Sequence, residues 1–189
     1  MHSSLKEKLI REIKDIDPSE LEEFLALWTI ERKVKRHSLV APKGEVDHTI
    51  YFIAEGALKL CCALDDQEII LEFGYTDSCI FNLPSFFTAG PSEFYMEALR
   101  ATRLIGIRKV DFYNCIDRHL GLAAFWRKNI EYNLLRFVER EVDLLANSPA
   151  LRLERLQQRR PELFQHIPHK YIAQYLRMTP ETLSRLRKS

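Results

Sequence analysis

Long apolar runs are missing from this chain. No stretch reaches the roughly 18 residues that a membrane span needs. The opening MHSSLKEKLIREIKD carries a charge every few residues in place of a signal-peptide core. A cytoplasmic protein with no membrane partner is expected. Cysteine is scarce: Cys61, Cys62, Cys79 and Cys115 are all four. None forms a C-x-x-C pair or a zinc-like cluster, and none falls in the first 60 residues, where an iron–sulfur sensor would carry them. In a reducing compartment they read as buried free thiols. Histidine is equally thin. Of the six (His2, His37, His48, His119, His166 and His169), only His37 and His48 lie in the strand-rich region described next, and no H-x-H pattern occurs there. That argues against a β-roll metalloenzyme, which needs His and Glu clustered on neighbouring strands. G-x-S-x-G, a Gly-rich phosphate loop and H-E-x-x-H are also missing. No enzyme, no metal and no cofactor is expected.

What is present is an uneven distribution of charge. The total is +1, yet residues 151–189 hold nine Lys/Arg against three Asp/Glu, a net of +6, which leaves −5 for residues 1–150. An acidic body with a basic tail points to nucleic acid or another anionic surface.

Three textures follow one another along the chain. Residues 3–28 read as helical: Leu5, Leu9, Ile13 and Ile16 recur at helical spacing, and Pro18-Ser19 restarts the pattern with Leu21, Phe24, Leu25 and Trp28. From about Thr29 to Arg108, short runs rich in branched and aromatic residues predict strands: IYFIA (50–54), ALKLCCAL (57–64), EIILEF (68–73), FYMEAL (94–99) and RLIGI (103–107). Turn signals separate them at Pro42-Lys43-Gly44, Glu55-Gly56, Asp65-Asp66, Asp77-Ser78 and Gly90-Pro91. Regular short strands with frequent turns imply a sandwich, barrel or jelly roll. Beyond Val110 helices return, first a short one to His119 and then a long one to about Ala146. On the long helix Leu135, Val138, Val142 and Leu145 form a heptad-like seam, and Trp126, Ile130, Leu134, Phe137 and Leu144 form a second stripe. Two apolar faces need two partners. Either one covers the β domain and the other a second copy of the helix, or both are buried within one subunit.

Asn147-Ser148-Pro149 breaks that helix, with Ser148 placed to cap the next one and Pro149 suited to its first turn. Leu151, Leu153 and Leu156 carry this next helix to Arg160-Pro161. The last two helices are the informative ones. Pro168 starts PHKYIAQYLR, with Ile172, Ala173 and Leu176 facing inward. After a turn at Met178, Thr179 caps a helix whose Leu183 and Leu186 face inward, while Glu181, Thr182, Ser184, Arg185 and Lys188 remain outside. A polar and cationic helix held by a preceding helix across a tight turn is the docking geometry of helix-turn-helix DNA readers. Arg185 suits guanine O6 and N7, Glu181 suits cytosine N4, and His169 and Lys170 are placed for phosphates.

The order of β-rich domain, long helix and helix-turn-helix resembles the Crp/Fnr transcription regulators over nearly the whole chain. "HKYIAQYLRMTPETLSRLRK" is similar to their recognition motif, and "DHTIYFIAEGALKL", with Gly56 at its turn, to a strand-turn-strand of their cyclic-nucleotide-binding-like jelly roll. The resemblance implies an α+β fold of three parts. A jelly-roll sensor (an antiparallel double-stranded β-helix with flanking helices) covers residues 1–119, a dimerisation helix residues 120–147, and a small helical DNA-binding domain residues 148–189. It implies double-stranded DNA, a second copy, RNA polymerase and an unidentified small-molecule effector as partners. The rival reading is a dimeric jelly-roll module that senses a ligand or binds protein without DNA.

Three departures qualify the resemblance. Where nucleotide-binding members carry Gly-Glu and a downstream Arg, this chain has Phe81-Asn82 and Ser92-Glu93. Phe81 blocks close backbone approach and Glu93 repels a phosphate, so cyclic AMP is not the expected effector. A pocket at this place would be lined by Phe81, Asn82, Ser92, Tyr95 and Arg100, and would hold either another ligand or its own aromatics. The turn between the last two helices has Arg177 where Gly is usual, and positive φ there would cost on the order of 1 kcal/mol. Pro180 stands where an Arg often reads a base, and the chain ends at Ser189 where relatives often continue into a β wing. Pro180 cannot read a base in that way, so a different half-site is expected, and without a wing phosphate contacts would be fewer and dimerisation would matter more for specificity.

Overall fold

The computed structural model describes residues 3–13, 16–65 and 67–188. His2, Ser189 and Asp66, half of the Asp65-Asp66 turn signal, lie outside the described residues. Helix α1 (Ser3–Glu12) and helix α2 (Pro18–Ala26) open the chain. Asp17 caps α2 by accepting from the Ser19 backbone N–H at 2.8 Å. Strands β1 (Ile30–Val34), β2 (Leu39–Ala41), β3 (Thr49–Glu55), β4 (Ala57–Leu64), β5 (Gln67–Tyr75) and β6 (Cys79–Ile80) follow. Then come the short helix α3 (Leu83–Thr88) and strands β7 (Phe94–Ala98) and β8 (Thr102–Arg108). The remainder is helical: α4 (Lys109–Ile116), α5 (Leu120–Leu145), α6 (Pro149–Arg159), α7 (Leu163–His166), α8 (His169–Tyr175) and α9 (Pro180–Leu186).

The strands form two antiparallel four-stranded sheets, in order β1-β8-β3-β6 and β2-β7-β4-β5. Ile53, Leu58, Met96 and Leu104 fill the space between them. The result is the jelly roll that the strand spacing predicts. The ALKLCCAL run is buried continuously from Ala57 to Cys61, because sheet β2-β7-β4-β5 is covered on both faces. Leu58 and Leu60 join the core between the sheets, while Ala57 and Cys61 join a second cluster on the outer face.

That second cluster is what positions the C-terminal helices. Ile70, Phe73 and Leu99 pack there with Leu153, Leu163, Ile172 and Tyr175. On the other sheet's outer face, Leu9 of α1, Phe24 of α2 and Trp28 just after it pack with Phe52 and Ile107 of the sheet and Phe112 of α4. Gly56 makes the β3–β4 turn at φ +112, and a Cβ there would lie 2.3 Å from Thr102 Oγ1.

Four sequence expectations need correction. Leu151 is exposed on α6, whose buried leucines are Leu153 and Leu156. Of the cysteines, Cys61 and Cys115 are buried, whereas Cys62 is half-buried and Cys79 is exposed on the two-residue edge strand β6. The two faces of α5 are not both buried within one subunit, since the Leu135, Val138, Val142 and Leu145 seam stands in solvent. Nor does the second stripe lie whole on the β domain. Trp126 does pack, 4.8 Å from Phe112, but Leu134 is exposed. The face that the second half of α5 turns to β5 is polar, with Arg136 donating to Glu72 and Arg140 to the Ile70 carbonyl.

Candidate nucleic-acid interface

Helices α8 and α9 form a unit through their inner faces. Ile172, Ala173 and Leu183 are essentially inaccessible, and the absence of bulk on Ala173 lets the helices meet closely. The turn between them closes by a six-residue bond from Met178 N to Ala173 O at 3.0 Å, the Schellman arrangement that ends a helix. Arg177 occupies the left-handed position of that turn at φ +52. The backbone thus keeps the conformation usually given to glycine, at the cost its side chain implies. Thr179 caps α9, its Oγ1 accepting from Thr182 N at 3.2 Å, with Pro180 in the first turn.

The outer face of α9 carries Glu181, Ser184 and Arg185, and Lys188 follows just past the helix, all exposed, with Thr182 half-buried beside them. A backbone N–H, with help from the Thr179 hydroxyl, holds the Glu181 carboxyl below its usual range, so it stands ionised as an acceptor. Lys170 is exposed at the start of α8, its ammonium 4.6 Å from the Tyr171 ring centroid.

His169 differs from expectation. Arg187 Nη1 donates to its ring, 2.8 Å from Nδ1. Partial burial and the Arg187 charge both lower its pKa, which favours the neutral ring and leaves the positive charge here to Arg187. Arg187 itself, exposed beside it, was not singled out in the sequence because it sits one residue short of the periodic outer face.

The basic tail also divides. Lys170, Arg177, Arg185, Arg187 and Lys188 are exposed. Arg155 and Arg159 turn inward to Asp143 at 2.6 and 2.7 Å, and Arg160 to Glu72 at 2.9 Å. Much of the charge read from composition therefore ties the helices to the body.

The five residues expected to line an effector pocket do not converge. Asn82 and Ser92 meet at Phe94: Asn82 Nδ2 donates to its carbonyl at 2.9 Å, and Ser92 Oγ accepts from its N–H at 3.0 Å. Phe81 packs into an aromatic cluster with Phe86 at 4.9 Å and Trp126 at 6.0 Å. Tyr95 points elsewhere, its hydroxyl donating to Glu68 at 2.6 Å. Arg100 donates to the His166 carbonyl. Strand alternation separates Tyr95 from Phe94, and Arg100 lies beyond the strand end. Glu93 is neutralised by Lys43 at 2.6 Å.

A grouping that spacing did not reveal joins α2 to the start of α5. The ligand atoms of Glu23, Cys115 and His119 lie within 4.8 Å of one another. The His119 ring lies 3.3 Å from Glu20 and 3.1 Å from Glu23, and Glu23 also accepts from Arg118, so the carboxylate already has partners.

Comparison with known proteins agrees with this architecture. Residues 31–119 match the family described as the cyclic nucleotide-binding domain. A comparison with curated proteins gives no match. Among solved structures, FixK2 from Bradyrhizobium japonicum superposes with a TM-score of 0.69 at 16% identity, over 84% of this chain and 82% of that one. The c-di-GMP responsive global regulator CLP of Xanthomonas campestris gives 0.66 at 16% identity, over 91% and 90%. The Thermus thermophilus catabolite activator protein gives 0.58 at 21% identity, over 94% and 84%. The chain has the fold of the Crp/Fnr regulators, a cyclic-nucleotide-binding-type jelly roll followed by a long helix.

Proposed function

We propose that this chain, carrying the fold of the Crp/Fnr regulators, is a transcription regulator that reads duplex DNA as a homodimer. In this reading residues 1–119 are a sensor domain, 120–147 join two subunits, and 148–189 contact DNA. The observation that carries it is the division of α9, with Leu183 buried and Glu181, Ser184 and Arg185, followed by Lys188, on the open side. Arg185 and Glu181 address base edges, while Thr179, Thr182, Lys170 and Lys188 serve the backbone. His169 orients Arg187. Two such helices about 34 Å apart on a twofold axis fit a palindromic site. Phe81 and the buried Asn82 at the phosphate-binding position argue against cyclic AMP as effector. A bound effector acts only by favouring one arrangement of the two DNA heads over another. RNA polymerase is the expected downstream partner.

The rival, a dimeric module without DNA contact, draws support from the docking of α8 on β5, where Gln174 Nε2 donates to the Glu68 carbonyl at 2.8 Å. One experiment separates the two: selection of bound sites from random duplexes, then affinity of Arg185→Ala on the selected site. The substitution is expected to cost about 1–3 kcal/mol and to relax discrimination at one base pair. Failure to enrich any sequence favours the module, and a loss uniform over all sequences removes base reading from Arg185.

A further inference from the structure

Between α5, α6 and α8 lies a cavity of about 220 Å³ whose lining includes four guanidinium groups, those of Arg136, Arg140, Arg159 and Arg160. Three have close carboxylates. Glu72 accepts from Arg136 at 2.8 Å and from Arg160 at 2.9 Å. Asp143 accepts from Arg159 at 2.7 Å and from Arg155 at 2.6 Å.

Arg140 is the exception. Its side chain is only 9% exposed. Nη2 donates to the Ile70 carbonyl at 2.9 Å, and the guanidinium lies 4.5 Å from the Tyr175 ring centroid. Among the described residues its carboxylate partner is Glu141, exposed and 3.4 Å away. The Nε atoms of Arg140 and Arg136 are buried without a hydrogen-bond partner. Buried charges in folded proteins are normally paired and hydrogen-bonded, because an unmatched one costs its desolvation.

The local balance points the same way. Glu139 also reaches Arg159, at 3.4 Å. Five guanidiniums (Arg136, Arg140, Arg155, Arg159 and Arg160) then share four carboxylates (Glu72, Glu139, Glu141 and Asp143), an excess of one positive charge, and Glu141 lies out in solvent. The rest of the lining is apolar or aromatic: Leu144, Leu156 and Leu176 with Tyr132 and Tyr175.

We propose that this cavity binds a small phosphate monoester, its doubly charged head on Arg140 and its short apolar body against Leu144 and Leu156. A phosphate oxygen accepts from guanidinium N–H groups in the fork geometry those groups favour, and its negative charge offsets the local excess. The volume falls below the roughly 300–1,000 Å³ of sites for drug-sized ligands, which suits a small ligand. The site stands apart from the jelly-roll interior and from the outer face of α9, so it does not rest on DNA recognition.

Calorimetric titration of the full chain at fixed ionic strength in phosphate-free buffer tests it, with phenyl phosphate, inorganic phosphate and benzoate as probes. Phenyl phosphate is expected to saturate at one per chain and to bind more tightly than either of the others. Arg140→Met, which keeps the stem and its packing, should weaken it about tenfold or more, the scale of one charge-assisted hydrogen bond. Leu144→Phe fills the cavity with every guanidinium in place, and should abolish binding without lowering the urea midpoint. A wild-type titration without saturation overturns the proposal, as does affinity unchanged in both variants. Benzoate binding more tightly than phenyl phosphate overturns the phosphate head. None of these measurements involves DNA, so a chain that selects no operator leaves the result standing.

Discussion

Arg160 Nη1 donates to Glu72 Oε1 across 2.9 Å, and this bond fastens the segment between α6 and α7 to the middle of β5. Arg136 occupies the other oxygen of the same carboxylate at 2.8 Å. One acid from the sheet thus holds both the long helix and the C-terminal helices. Around it Tyr75 donates to Glu162 at 3.0 Å and stacks on His166 at 4.8 Å.

Acid should release this junction. Burial pushes the Glu72 carboxyl up, but Arg160 and Arg136 together push it further down, so the folded value lies below the ordinary one. The stability it contributes is complete above the unfolded value of about 4.3 and is lost as pH falls through the folded value. Glu72→Gln leaves two guanidiniums without their acid and is expected to cost about 3 kcal/mol at pH 7. Urea unfolding from pH 7 down to 3 should show the wild type losing ground below about pH 4.3, while the gap to Glu72→Gln narrows. A constant gap would mean that the Glu72 carboxyl titrates alike in the folded and unfolded chain, so that the two guanidiniums do not favour its charge.

Arg177 tests the turn. A glycine takes its φ of +52 without the Cβ penalty of about 1–2 kcal/mol. Part of that gain is offset by the greater freedom of glycine in the unfolded chain. Arg177→Gly is therefore expected to stabilise the protein by a few tenths to about 1 kcal/mol, and Arg177→Ala to be near neutral. Chemical unfolding midpoints decide it. If glycine destabilises, its greater freedom in the unfolded chain outweighs the relief of backbone strain.

These cases also mark what could be read in advance. The strands were legible because period-two runs alternate with turn residues, and the caps because Ser148 and Thr179 each precede a proline that suits a first helical turn. The exposed seam of α5 was legible as a heptad pattern. The opposite side of that helix was not. Arg136 and Arg140 count as solvent residues in any periodicity argument, and their partners, Glu72 and the Ile70 carbonyl, lie more than sixty positions earlier. For the same reason the +6 of the tail overstated the charge left for a nucleic acid. The supposed pocket failed through strand geometry: neighbouring residues on β7 point to opposite faces, which sends Tyr95 to Glu68 and leaves Asn82 and Ser92 at Phe94.

Gly56 is a position where local sequence and packing agree. Its φ of +112 already disfavours any side chain, and a Cβ would lie 2.7 Å from the Thr102 Cα, a backbone atom with no room to retreat. Gly56→Ala should cost about 3 kcal/mol or more, since strain and overlap add. Its thermal midpoint is expected to fall by many degrees, or the protein to be recovered mainly as aggregate. A midpoint near wild type would mean that the β3–β4 turn has another accessible conformation.

The exposed seam of α5 yields the last prediction. Leu135, Val138, Val142 and Leu145 are between 48% and 82% exposed, and Leu134 and Tyr132 extend the same apolar surface. A helix that shows this much apolar surface in one chain is stabilised by covering it, and a second copy offers the same seam in reverse order, as a twofold interface requires. In the isolated chain a charge at Val138 touches only solvent, so Val138→Glu should leave the monomer's fold intact by circular dichroism. Across a twofold seam the same change sets two carboxylates against apolar neighbours, and each resists desolvation. Sedimentation is expected to show a wild-type dimer and a variant shifted to monomer at the same concentration. Affinity for a palindromic duplex should drop steeply while affinity for a half-site changes little. A variant that stays dimeric would put the contact between copies on another surface, and a wild type that sediments as monomer would remove the basis for spacing two recognition helices one DNA turn apart.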